Sequence, residues 1–138
     1  MIGVGPYLRH PETPLGDRLA WPDAPQGQVP ADETMTYKVV ALARLACPRA
    51  NIPATTALAT INRDEGRELG LLRGANVVMP NLTPVEYRAL YEIYPDKACI
   101  AETGEACHHC LNRRIESIGR QPGRGRGDSA SYKQKNAT

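Results

Sequence analysis

Three short apolar runs constrain the fold of this 138-residue chain more than any other feature of its sequence. Met1–Gly5 (MIGVG) halts at Pro6, Asn51–Ile61 (NIPATTALATI) is small, apolar and rich in threonine, and Ala75–Met79 (ANVVM) halts at Pro80. Helical patterns separate them. Apolar runs without alternation read as strands buried on both faces, and strands alternating with amphipathic helices predict an α/β fold with a parallel sheet. Three strand–helix units can be the end of a (β/α)8 barrel or half of a doubly wound sheet. No G-x-G-x-x-G or Walker motif supports the nucleotide-binding sheet. Three strands cannot close a barrel, so the reading is a partial one, followed by a helical extension.

The spacing places the helices. Asp32 or Thr34 caps a helix running to about Ala46, with Met35, Val39, Leu42 and Leu45 or Ala46 as its apolar face and Pro48 as its stop. Residues 9–31, rich in Pro, Gly, Asp and Gln, read as a long irregular loop. Arg63–Leu72 predicts a short helix with Leu69 and Leu72 inward and Gly74 at the C′ position. Thr83-Pro84-Val85-Glu86 reads as a capping box opening a helix that carries Tyr87, Leu90, Tyr91 and Tyr94 as far as Pro95. A last helix spans about Cys107 to Ile118, with Leu111, Ile115 and Ile118 on one stripe and Gly119 as its stop. The expected organisation is barrel over 1–98, a cysteine-containing helical extension over 99–119, and a disordered basic tail over 120–138.

Composition removes several function classes. Gly and Pro number 12 each, which is loop-rich but not the make-up of a disordered chain. Of the net charge of +2, the tail carries more than the whole: Arg120, Arg124, Arg126, Lys133 and Lys135 stand against Asp128. A nucleic-acid binder would keep its basic patch on the folded part, so no nucleic-acid partner is expected. No apolar stretch approaches the roughly 20 residues of a membrane span, and no signal peptide opens the sequence. The four cysteines then read as thiols or ligands in a reducing cytoplasm rather than as disulfides.

Cys99-x7-Cys107-x2-Cys110 (CIAETGEACHHC) carries the most chemistry. Two thiolates at C-x2-C opening a helix converge on one side and can grip a metal or an iron–sulfur cluster, favoured by the helix N-terminus. Cys99 lies within loop reach, and His108, His109 or a small exogenous ligand could complete the coordination. The competing reading is a pair of buried thiols.

Four blocks in register resemble one family. GVGPYLRHPETPL (3–15), NIPATTALATI (51–61), GANVVMPNLTP (74–84) followed by YRALYEIYPDKAC, and the three cysteines are similar to successive blocks of the FeFe-hydrogenase maturase HydE family of radical S-adenosylmethionine (SAM) proteins. The resemblance covers about residues 1–126. It implies that the three runs are the last three strands of a (β/α)8 barrel. It implies also that Cys99, Cys107 and Cys110 hold an auxiliary cluster, 2Fe-2S or 4Fe-4S, with zinc as the other candidate. Biotin synthase and methylornithine synthase share the region more loosely. Such enzymes hold their catalytic 4Fe-4S cluster on a C-x3-C-x2-C motif, a spacing absent from the four cysteines here. The chain is therefore not expected to be catalytic alone, and SAM binding is expected only with an N-terminal barrel half as partner.

Individual residues take roles by the same resemblance. Thr55 and Thr56 match a cavity-facing pair that binds an anionic group, and two hydroxyls at a strand end suit a carboxylate. Met79 matches a cavity-lining position, and Val4 an apolar position packed on adenine. Each has a bland counterpart: strand Thr satisfied by backbone, core Met, and a Val4 that contacts nothing in a fragment. His10, Arg113 and Arg114 read as solvated, Tyr91 and Tyr94 as packed helix tyrosines, and Cys47 as a small buried residue. Two other readings stay open: a stand-alone metal- or cluster-binding module, and a fragment without function.

Overall fold

The computed structural model describes residues 1–17, 27–91, 93 and 95–135; part of the expected long loop and Tyr94 lie outside these. Its elements are helices α1 (Glu33–Ala46), α2 (Thr56–Ile61), α3 (Gly66–Leu72) and α4 (Val85–Arg88), a 3-10 turn at Ala89–Tyr91, then α5 (Gly104–Ser117) and α6 (Ala130–Lys135).

The expected strands come together without forming regular strands. The second and third runs meet at one parallel bridge, Pro53 with Val77. The Ala54 N–H donates to Val77 O (2.9 Å) and the Val77 N–H to Ile52 O (3.2 Å). The first run reaches the second through the Ile2 N–H and Asn51 O (2.8 Å), and Gly5 approaches the Thr55 side chain. The pairing stops short because Pro53 has no N–H to give, and because Asn76 Oδ1 takes the Ile52 N–H at 2.8 Å in place of a backbone carbonyl. The result is a helix-rich, open α/β arrangement whose three extended segments lie in chain order and run parallel.

The core forms where helices cover these segments. Val40, Ile52, Ala54, Leu71 and Ala75 make the buried cluster, with Ile2, Val4, Val78, Ile115 and Ile118 packed against it. Asp32 caps α1 as expected, its carboxylate accepting the Met35 N–H at 2.7 Å. The face of α1 that turns inward is the other one, however. Thr36, Tyr37 and Val40 are buried, while Leu42 and Leu45 are 65% and 79% exposed. Tyr37 decides the rotation: its ring covers more area than Leu would, and its hydroxyl finds Glu33 (2.5 Å) and Gly66 O (3.3 Å). Arg44 fixes the far end, donating to Gly74 O (2.8 Å), Pro48 O (2.7 Å) and Asn76 Oδ1 (3.0 Å).

Two helices end as the glycines predict. At α3 the Ala75 N–H returns to Gly70 O and the Gly74 N–H to Leu71 O, the paired closure of a Schellman motif. Gly74 sits at φ +120, and a Cβ there would lie 2.7 Å from the Arg44 Cβ. Gly119 closes α5 in the same way, at φ +73. The inward residues of α3 are Leu71, Gly70, Arg67 and Glu68, whereas Leu72, expected inward, is exposed.

The expected capping box does not form. Pro84 occupies the N-cap of α4 and no side chain caps it. Thr83 instead gives its N–H to Asn81 Oδ1 (3.2 Å) and its carbonyl to Arg88 Nε (2.7 Å), and the helix breaks into a 3-10 turn. The basic tail, expected to be disordered, takes a described course: Arg120 donates to Ala75 O (3.1 Å), Asn51 Nδ2 to Gly127 O (2.9 Å), and α6 follows.

Candidate metal centre

Cys99 is placed by unusual backbone. It adopts φ +65, a left-handed conformation that costs a non-glycine residue energy. Its carbonyl is clamped by Arg88 Nη1 (2.9 Å) and Asn81 Nδ2 (3.2 Å). Arg88, buried to all but 2%, also donates to Asn81 O (2.9 Å), Thr83 O and the carbonyls of Ile100 and Glu102. One guanidinium therefore ties the whole 81–102 connection to itself, as the planar five-donor fork of Arg allows. Nothing in the spacing of the sequence marked Arg88.

Cys107 and Cys110 stand on α5, whose true N-cap is Thr103, accepting the Ala106 N–H at 3.1 Å. The helix starts three residues before Cys107, so the C-x2-C pair sits beyond its first turn, where the dipole has faded. Burial pushes the Cys107 thiol up from its ordinary range, opposed by the Asn81 backbone N–H and by Arg67 and reinforced by the adjacent Cys99. Cys99 and Cys107 are thus direct neighbours. Cys110 turns toward Arg114, whose charge burial disfavours but Glu68 and Cys110 restore.

Arg114 is more than the solvated charge expected of it. It joins α5 to α3 through Glu68 (2.7 Å), Asp64 O (2.8 Å) and Arg63 O (2.9 Å). Neither histidine meets the thiols. His109 lies 3.9 Å from exposed Glu105, and His108 lines a cavity of about 710 Å3 with Asn51, Val78, Ile115 and Arg120. Cys47, expected to be buried, is exposed at the C-cap of α1.

Among the described residues, no group of three or more His, Cys, Asp or Glu side chains is placed to hold a metal ion. The three thiols do not converge in this arrangement, since Cys110 is turned to Arg114. Two thiols face one another, the third lies one helical turn along the same helix, and the buried Arg67 Nε beside them has no hydrogen-bond partner. Arg67 Nη1 stands 3.6 Å from the Cys99 sulfur.

The remaining predicted site residues fall in several places. Thr55 and Met79 each lie two residues past the Pro53–Val77 bridge, level with one another, and Gly5 approaches Thr55. Thr55 caps α2, its hydroxyl oxygen accepting the Leu58 N–H at 3.4 Å. Thr56 begins that helix and its carbonyl accepts from Thr60 Oγ1 at 3.0 Å. Met79 is half exposed, and Val4 packs onto the core cluster. His10 makes a local turn, its Nδ1 accepting the Glu12 N–H at 3.2 Å. Tyr91 is exposed, with Lys97 Nζ 5.0 Å from its ring centroid.

An open parallel α/β layer with a thiol site beside it is the class of domain that the residues define. No family model matches the chain. Over 124 residues, 90% of its length, it is 48% identical to the FeFe hydrogenase maturase subunit HydE of Thermotoga maritima. The chain spans 32% of that relative's length, so the likeness is to one part of it. No helix among the described residues is long and apolar enough to cross a membrane.

Proposed function

We propose that this chain is the C-terminal part of a radical SAM protein of the HydE type, serving FeFe-hydrogenase maturation. It holds an auxiliary iron–sulfur cluster on Cys99, Cys107 and Cys110 and supplies one wall of the cavity for SAM and substrate. The observation that carries this reading is the 48% identity across nine-tenths of the chain. The local geometry supports it: three parallel segments in chain order, as at the end of a (β/α)8 barrel, with Thr55 and Met79 level at one end. There Thr55 keeps a hydroxyl proton to offer an anionic group, with Thr56 beside it, while Met79 shapes the wall and Val4 backs it.

When bound, the cluster supplies a redox-active centre at the thiols. The chain's own part is to hold the 99–103 loop against α5 with Arg88 and Asn81. The catalytic C-x3-C-x2-C cluster and the rest of the SAM site come from an N-terminal barrel half, without which the chain is not catalytic. The exposed Leu42 and Leu45 of α1 support that partner, since barrel helices pack on neighbours at both sides. A second reading, a metal- or cluster-binding module without radical chemistry, draws support from Arg88 and Asn81, which hold Cys99 from within this chain.

Anaerobic reconstitution with iron and sulfide tests the proposal, beside a Cys99/Cys107/Cys110→Ser variant. Iron and a charge-transfer band present in wild type and lost in the variant are expected. Iron in neither protein would remove the cluster from both readings. Co-expression with an N-terminal barrel half separates them, because only the first expects a complex.

A further inference from the structure

The cavity of about 710 Å3 beside His108 belongs to neither site described above. Among the described residues that line it there is no cysteine, and Thr55, Thr56, Met79 and Val4 are absent as well. Its floor is apolar: Leu71 and Leu111, both buried, with Val78 and Ile115. The segment from Gln121 to Asp128 borders it as a strap tied at both ends. At one end Arg120 Nη1 donates to Ala75 O (3.1 Å), and at the other Gly127 O accepts from Asn51 Nδ2 (2.9 Å). A merely solvated tail would not carry such ties.

Charge on the rim is one-sided. Arg120, Arg124 and Arg126 stand there against one acid, Asp128, which Arg126 already holds at 3.6 Å. Arg124 has no hydrogen bond or ion pair among the described residues. Gly125 (φ +88) and Gly127 (φ +72) alternate with arginines of negative φ. Such alternation turns successive backbone N–H groups to one side and makes anion-binding concavities. A Cβ at either glycine would meet nothing within 4 Å, so conformation rather than crowding calls for glycine there. We propose that this cavity binds a phosphorylated small molecule, its phosphate at Arg124 and the Gly125–Gly127 backbone and its apolar body on the floor. Arginine forks and backbone N–H groups suit phosphate oxygens. The volume exceeds what inorganic phosphate fills and falls in the range of small-molecule sites. The site is independent of the cluster and of the barrel wall, and its failure would leave both standing.

Phenyl phosphate is the probe, because it joins a dianion to an apolar ring; inorganic phosphate and phenol are its two halves. Titration of the full chain, followed by NMR, is expected to show saturable binding that shifts the His108 ring protons. Phenyl phosphate should bind at least about tenfold more tightly than either half. Arg124→Gln should weaken it about tenfold, as loss of a charge-assisted hydrogen bond does. Asn112→Trp fills the cavity from α5 and should bring phenyl phosphate down to the affinity of inorganic phosphate. Arg124→Gln should melt with wild type, since Arg124 bonds to nothing in the protein. Inorganic phosphate bound as tightly as phenyl phosphate would overturn the cavity and leave only a charged surface. Unchanged affinity in Arg124→Gln would overturn the placement of the phosphate. No saturable binding of phenyl phosphate to wild type would overturn the proposal outright. Should Asn112→Trp fail to fold, His108→Trp, on the same face of α5, carries the same comparison.

Discussion

Around α3 and α5 most polar groups near the core have found partners, whereas the outer face of α1 and the segment from Leu82 to Ile93 set large apolar side chains against water. On the first side Arg114 bonds Glu68 and two backbone oxygens, and Arg88 turns inward from the second segment to gather five carbonyls. On the second, Leu42, Leu45, Leu82 and Leu90 are between 65% and 84% exposed. Apolar side chains clustered like this on a small chain mark a surface that something else covers. The finished side is the one that holds the thiols; the unfinished side is where a larger protein would continue. Breaking a contact on the first side should therefore cost stability in the isolated chain, and on the second only assembly.

The largest losses are expected at Arg88 and Leu58. Arg88→Ala leaves a row of part-buried carbonyls without donors and should cost about 3 kcal/mol in denaturant unfolding. It should also free the 99–103 loop, so that Cys99 and Cys107 alkylate at least about tenfold faster than in wild type. Leu58 is wholly buried and touches Gly70, so Leu58→Ala opens a cavity at a cost of about 3 kcal/mol. Wild-type stability in either variant would mean that the thiol side is less tightly built than its hydrogen bonds imply.

Much of the fold was legible in the sequence where periodicity and punctuation agree. The Asp32 cap, the Gly74 and Gly119 closures and the Leu111/Ile115/Ile118 stripe all stand where spacing placed them. The face of α1 was not legible, because two apolar stripes lie one residue apart and only Tyr37, with its polar tip and large ring, separates them. The broken helix after Pro84 was hidden for a different reason. A capping box is a local signal, and Asn81 and Arg88 compete for Thr83 from outside it. Of the candidate site, the cysteines came from spacing. Arg67, Arg88 and Arg114 did not, since a buried arginine looks like a surface one until its neighbours are known. The pairing of α3 with α5 supplies those neighbours.

A smaller effect is expected where the two sides join. Tyr37 carries α1 to α3, and burial, then its hydrogen bond to Glu33, raise its hydroxyl pKa above the ordinary value of 10.0. The unfolded chain therefore ionises first as pH rises. The stability tied to the neutral hydroxyl is complete below pH 10 and is lost above it, by up to about 1.4 kcal/mol per pH unit. Tyr37→Phe should cost about 1 kcal/mol at neutral pH and remove that alkaline slope. A slope unchanged in Tyr37→Phe would assign it to other groups and leave the join resting on packing alone.

The smallest effect on the isolated chain is expected on the outer face of α1. Leu42 and Leu45 lose little water contact on folding, so the double change Leu42→Lys and Leu45→Lys should shift stability by no more than about 0.5 kcal/mol. The same change should abolish capture of a co-expressed N-terminal barrel half. A loss of several kcal/mol would mean that the stripe packs within this chain after all. Undiminished capture would move the docking surface to the other apolar patch, at Leu82, Tyr87 and Leu90. Either result would redraw the line between the two sides, because α1 would then belong with the thiol region and the second patch alone would remain for a partner to cover.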